Sequence, residues 1–187
     1  MTPYAFYQSV TDQSRQPVFF ADWGVPDTMS GRFDMLIAHA ILVFRRLKRI
    51  EGDHAEEARA RSQAFSDLLF KDLDRALRDT GVSDRKVPKR LKMLATAYLG
   101  RGQAFGEALD AGDQAALADA LERNAGGIVF AVDGVETADS DEPVADLLSA
   151  KIAAYLQQAD AHLNAQDDDT VLSGTLDWPH VPDAQAA

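Results

Sequence analysis

His39 stands in the middle of an apolar run, MLIAHAILVF, at residues 35–44. An imidazole in that setting has two uses: as a ligand to haem or a metal, or as a buried ring held by a hydrogen bond inside a helical core. A ligand role calls for companions. The other histidines, His54, His162 and His180, lie in distant segments and the chain has no cysteine, so no pair at helical spacing is preassembled to hold zinc or haem. A core histidine is the commoner arrangement. Asp67, Asp72 and Asp74 suggest a carboxylate site, but positions 72 and 74 point to different faces of a helix, which favours a solvated face with ion pairs. Phosphate-loop, dinucleotide, zinc-protease and serine-elbow motifs are absent. Catalytic, metal and cofactor chemistry are therefore not expected.

The element that places His39 is a helix. Residues 31–48, GRFDMLIAHAILVFRRLK, put Phe33, Leu36, Ala40, Phe44 and Leu47 on one stripe, with Ser30 or Thr28 as the cap and cations in the last turn to complement the dipole. The apolar stretch runs only from Met35 to Phe44, whereas a bilayer span takes about 20 such residues. A central core helix is the expectation.

Around it the chain of 187 residues, 46% hydrophobic, suits one domain able to bury a sizeable core without disulfides. Residues 4–13 and a segment opened by Pro17 read as short helices of an N-terminal arm, whose aromatics Tyr4, Phe6, Tyr7, Phe19, Phe20 and Trp23 call for packing against the body. A polar link, EGDHAEEARAR, leads to a helix through Phe65, Leu69, Leu73 and Leu77 that Gly81 stops. Pro88 starts another, with Leu91, Leu94, Ala95 and Tyr98 on one side and Gly100 and Gly102 as its end. Shorter helices follow over 103–110 and over 113–124, where Asp113 is a natural cap. The stretch 125–143 reads as an irregular excursion, and Pro143 begins a last long helix to about Asn164. In the tail, Val171 to Trp178 has the residues to dock, and the end reads as disordered. The expected fold is all-α: a single irregular multi-helix domain over 30–164, with an arm over 1–29 packed on the body and a partly disordered acidic tail over 165–187.

Charge is divided along the chain. Residues 1–101 carry a net charge of +4 and residues 102–187 a net charge of −15, for a total of −11. The cations crowd into Arg32, Arg45, Arg46, Lys48 and Arg49, and into Arg85, Lys86, Lys89, Arg90, Lys92 and Arg101. Joined in space, these clusters would make a basic face for an anionic partner; apart, they are solvated helix ends. The acidic half and the scarcity of aromatics among the cations argue against sequence-specific DNA binding, while charge-driven contact with ribosomal RNA or anionic lipid stays open. The N-terminal residues lack the pattern of an export signal, so the cytoplasm is the expected location.

Taken in order, Gly31–Met35, His39, Arg45 and Arg46, Asp72 and Asp74 with Leu77 and Arg78, Gly81–Asp84, Val87–Arg90 and Tyr98–Arg101 resemble the pattern of the ubiquinol-cytochrome c chaperone family. The resemblance covers about residues 24–110 and fades beyond. It implies a non-enzymatic assembly factor for the cytochrome bc1 complex that receives newly made cytochrome b, or another subunit of that complex, at the cytoplasmic face of the inner membrane. A small partner protein, the ribosome or the membrane surface are further partners of that role. The client- or partner-binding residues it suggests are Arg32, Phe33, His39, Arg45, Arg46, Lys86, Lys89, Arg90, Lys92, Tyr98 and Arg101. The alternative is a ribosome- or membrane-docking adaptor without direct client contact.

Overall fold

The computed structural model describes residues 4–79, 81–124 and 146–181, and among them every regular element is helical. In chain order these are α1 (Tyr4–Ser14), α2 (Pro17–Ala21), α3 (Met29–Lys48), a 3-10 turn (Gly52–His54), α4 (Ala55–Asp79), α5 (Val87–Ala111), α6 (Gln114–Asn124), α7 (Asp146–Ala165) and α8 (Asp168–Ser173). The expected excursion over 125–143, the start of the last helix at Pro143 and the end of the tail beyond Val181 lie outside the described residues.

α3 is the centre because it is apolar nearly all round. Ile37, Ala40 and Val43 are fully buried, and α1, α4, α5 and α7 each pack against it. Its start is tightly fixed. The Thr28 hydroxyl accepts the Gly31 N–H at 3.1 Å, and a Cβ added at Gly31 would stand 2.0 Å from the Pro26 carbonyl oxygen. Backbone must shift to admit any side chain there. Gly31→Ala is expected to lower the unfolding free energy by about 1 to 3 kcal/mol in urea denaturation; an unchanged midpoint would contradict this reading.

The N-terminal segment packs through its aromatics. Phe6 and Phe19 are buried and Trp23 nearly so, whereas Tyr4 stays exposed. At the other end, Val171, Leu172, Leu176 and Val181 are buried, and the Trp178 Nε1–H donates to Ser9 Oγ at 2.9 Å, so Val171 to Trp178 docks against the start of the chain.

Three boundaries differ from the sequence expectation, each for a tertiary reason. The polar link is shorter, because helix α4 already begins at Ala55: Ala58 is buried, Glu56 and Glu57 sit in the first turn where the dipole favours acids, and Glu57 pairs with Arg61 at 2.9 Å. α5 runs through Gly100 and Gly102 and stops at Gly112, whose φ is 65°. Two glycines cost such a helix only about 1 kcal/mol each, and the burial of Arg101, Phe105 and Ala108 outweighs that. The acidic triplet opens α8, since the Asp167 carboxylate accepts the Thr170 N–H at 2.8 Å.

Candidate functional site

His39 is completely buried within a hydrogen-bonded chain. Its Nδ1 lies 2.7 Å from the Met35 carbonyl oxygen, which can only accept, so Nδ1 carries the proton and Nε2 accepts from the Tyr155 hydroxyl at 2.9 Å. The same hydroxyl accepts from Gln13 Nε2 at 2.8 Å. Rings of Phe19, Tyr155 and Trp178 close round the imidazole at centroid distances of 5.6, 5.6 and 5.4 Å. His39 therefore joins α1, α2, α3, α7 and the tail, with both nitrogens engaged. In this arrangement His39 is a joint of the core rather than part of the molecular surface.

Burial pushes the His39 pKa down to about 4, against a backbone hydrogen bond to Met35 that acts the other way. Its folded pKa lies below the unfolded one, so the unfolded chain binds the extra proton; stability is full above about pH 6.5 and falls as pH drops towards 4. The loss attributable to this ring is about 3 kcal/mol. His39→Gln should flatten that part of a stability-against-pH curve, and an unaltered slope would contradict the assignment.

The cationic end of α3 is spent inside the molecule. Arg45 reaches Asp110 at 2.7 Å, Asp160 at 3.2 Å and the Gly106 carbonyl at 3.2 Å, and Arg49 pairs with the same two aspartates at 2.9 and 3.1 Å. Burial works against the charge on Arg45, but the hydrogen bonds to Asp110 and Asp160 prevail and raise its pKa. The same contacts, Arg45 first, lower the pKa of Asp110. Arg46 is buried and donates to the Leu163 and Gln166 carbonyls at 3.0 and 2.7 Å and to Asp168 at 2.5 Å, closing the C-terminal end of α7. Arg45 and Arg46 thus hold α5, α7 and α8 onto α3. Charge reversal at both would disrupt the fold before it tested client capture.

The remaining sequence motifs also build the frame. Arg101 is buried, pairs with Asp34 at 2.7 Å and lies 5.7 Å from the centroid of the buried Phe33 ring. Asp72 accepts from the Tyr7 hydroxyl, while Arg78 pairs with Asp74 at 2.7 Å and also with Asp84, fixing the corner around Gly81 between α4 and α5. The Asp67, Asp72 and Asp74 set is therefore a bonded surface, and among the described residues no group of three acidic or histidine side chains is placed to hold a metal. Phe33, His39, Arg46 and Arg101 are buried, so these four of the expected contact residues do not lie on the molecular surface.

What stays accessible lies elsewhere. Arg32 is exposed in a two-pronged pair with Asp27 at 2.6 and 3.2 Å. Lys86, Lys89 and Lys92 are exposed and Arg90 is half-buried, all at the start of α5. Gly106, which Arg45 touches, lies 14 residues beyond Lys92 on the same helix, about 21 Å along it, so the two cationic clusters do not form one face. Tyr98 is half-buried at the edge of an open cleft of about 460 Å³ between α3, α4 and α5. Phe44, Leu47 and Ala58 supply its apolar wall, and Lys48, Arg59, Ser62, Gln63 and Ser66 its polar rim. Phe44 stacks on Phe65 at 4.8 Å and meets Tyr98 edge-on at 5.8 Å, so the apolar wall is rigid. Burial pushes the Tyr98 phenol up to about 12, which keeps it neutral.

Sequence reading missed this cleft, since Ser62, Ser66 and Arg59 look like ordinary solvated helix positions. It also missed Met93 and Leu99, 47% and 67% exposed, although both stand off the stripe formed by Leu91, Leu94, Ala95 and Tyr98 and could have been found that way. No helix of the described residues is long and apolar enough to cross a membrane.

Comparison with known proteins agrees with this framework. The family model described as ubiquinol-cytochrome C chaperone matches residues 21–178, so the likeness extends well past residue 110 into the acidic half whose aspartates hold the arginines of α3. A solved structure, described as the crystal structure of the Cbp3 homolog from Brucella abortus, is similar with a TM-score of 0.75 and 32% identity, over 95% of this chain and 88% of that one. No curated protein matches the chain. With a family match that runs from residue 21, at the end of the arm, through the central helix to the docked Trp178, this chain belongs to the ubiquinol-cytochrome C chaperone family.

Proposed function

We propose that the protein is an assembly chaperone of the cytochrome bc1 complex that holds newly made cytochrome b, and that the cleft between α3, α4 and α5 receives an apolar stretch of this client. The carrying observation is the cleft itself: rigid aromatic side chains left half-buried beside exposed Lys48 and Arg59. Binding sites concentrate their energy in such partly wet aromatics, and a cationic rim adds orientation towards acidic groups at the end of an apolar segment. The family membership supports the class of client. In this reading the protein carries no catalysis; it shields apolar surface until haem loading or a competing partner removes the client.

Ser66 lines the cleft from α4 and makes no part of the core. Ser66→Arg should fill the cleft and reduce co-purification of cytochrome b at least about tenfold, with the helical circular dichroism and unfolding midpoint unchanged. Full capture by this variant would remove the cleft from the proposal.

A further inference from the structure

We propose that the outer face of α5 docks the protein on a membrane surface rich in anionic lipid, a second site separate from the client cleft. From Arg85 to Gly106 the sequence holds no acidic residue, in a chain whose net charge is −11. Lys89, Lys92, Met93 and Leu99 are exposed and fall on the same side of α5 at helical spacing, continuing the exposed Arg85 and Lys86 before it. Leu99, at 67%, is the most exposed large apolar side chain among the described residues. A single exposed leucine needs no explanation, but two apolar side chains set among lysines and free of acids match what a headgroup layer takes: ammonium groups on lipid phosphates and aliphatic tips in the acyl boundary.

Charge complementarity also fixes the orientation. The α3 arginines are neutralised by Asp110, Asp160 and Asp168, so an anionic bilayer repels the acidic remainder and attracts the start of α5. Between Lys86 and Leu99 the face is about 20 Å long and convex, a shape for a flat surface more than for a pocket. RNA is the less suited partner, since of the two aromatic side chains of this helix Tyr98 is turned into the cleft and Phe105 is buried, so neither offers a base a stacking platform on the outer face. Tyr98 is nine residues from Lys89, two and a half helical turns, and so lies on the opposite side of α5. Docking therefore leaves the cleft open to a membrane-borne client.

The test is flotation of the purified full chain with vesicles of phosphatidylcholine alone or with about 30% phosphatidylglycerol. The wild type should float with the anionic vesicles only. Lys89→Glu with Lys92→Glu should weaken that binding at least about tenfold, and Met93→Ser with Leu99→Ser should make it dissociate at lower salt, all with unchanged circular dichroism. Equal binding by the charge-reversed protein, or retention of a single-stranded RNA oligonucleotide without vesicle binding, would overturn the proposal. No client is present in this assay, so its failure leaves the client-holding reading standing, and the reverse holds for client capture.

Discussion

Arg101→Leu is expected to lower the unfolding free energy by about 3 to 5 kcal/mol, read as a shift of the urea midpoint. The magnitude follows from what is left behind. Arg101 is 3% exposed and its guanidinium stands 2.7 Å from Asp34, whose side chain is 24% exposed, and 5.7 Å from the Phe33 ring centroid, so the substitution takes the guanidinium from a mostly covered carboxylate and the cation from the ring. An uncompensated buried charge costs far more than the net worth of the pair. Asp34→Asn added to Arg101→Leu should therefore recover part of the loss, because it removes the carboxylate charge. A single-mutant loss below about 1 kcal/mol would show the pair to be solvated, in the range of surface ion pairs.

Phe65→Ala should cost a similar amount, about 3 to 5 kcal/mol. Phe65 is fully buried with its ring 6.0 Å from Phe6 and stacked 4.8 Å from Phe44, so one side chain ties α1, α3 and α4 together. Truncation opens a cavity beneath the cleft, and Phe44 loses the ring that holds it in place. Client capture should fall along with stability. Phe70→Ala is the control: this half-buried ring meets Tyr98 edge-on at 6.0 Å and should lose clearly less stability. Equal losses for both would contradict the assignment of Phe65 as the joint.

The helices were legible because their apolar positions recur at helical spacing, and α3 was legible as the core because its run is too short for a bilayer yet apolar nearly all round. Boundaries were read less well where long-range packing opposed local preference. Gly100 and Gly102 look like a stop, but nothing in the local sequence reveals that Arg101 between them is anchored to Asp34. The same limitation governed the site. Arginines are commonly exposed, so Arg45 and Arg46 read as a surface, whereas their partners Asp110, Asp160 and Asp168 lie far along the chain. The signal was present in the contrast between a cationic first half and an acidic second half, which is the imprint of one half folding onto the other. For His39, the apolar neighbours indicated burial correctly but could not indicate Tyr155 and Gln13. The cleft was invisible because it is a property of how α3, α4 and α5 cross, not of any one stretch of sequence.

The most direct measurement of the central claim is photocrosslinking in the native host from a photoreactive residue at Ser62, inside the cleft, with Asp119 on the exposed side of α6 as the control position. Client holding by the cleft predicts cytochrome b as the main adduct from position 62 and none from position 119. Absence of cytochrome b at position 62, or equal labelling from both positions, would contradict it.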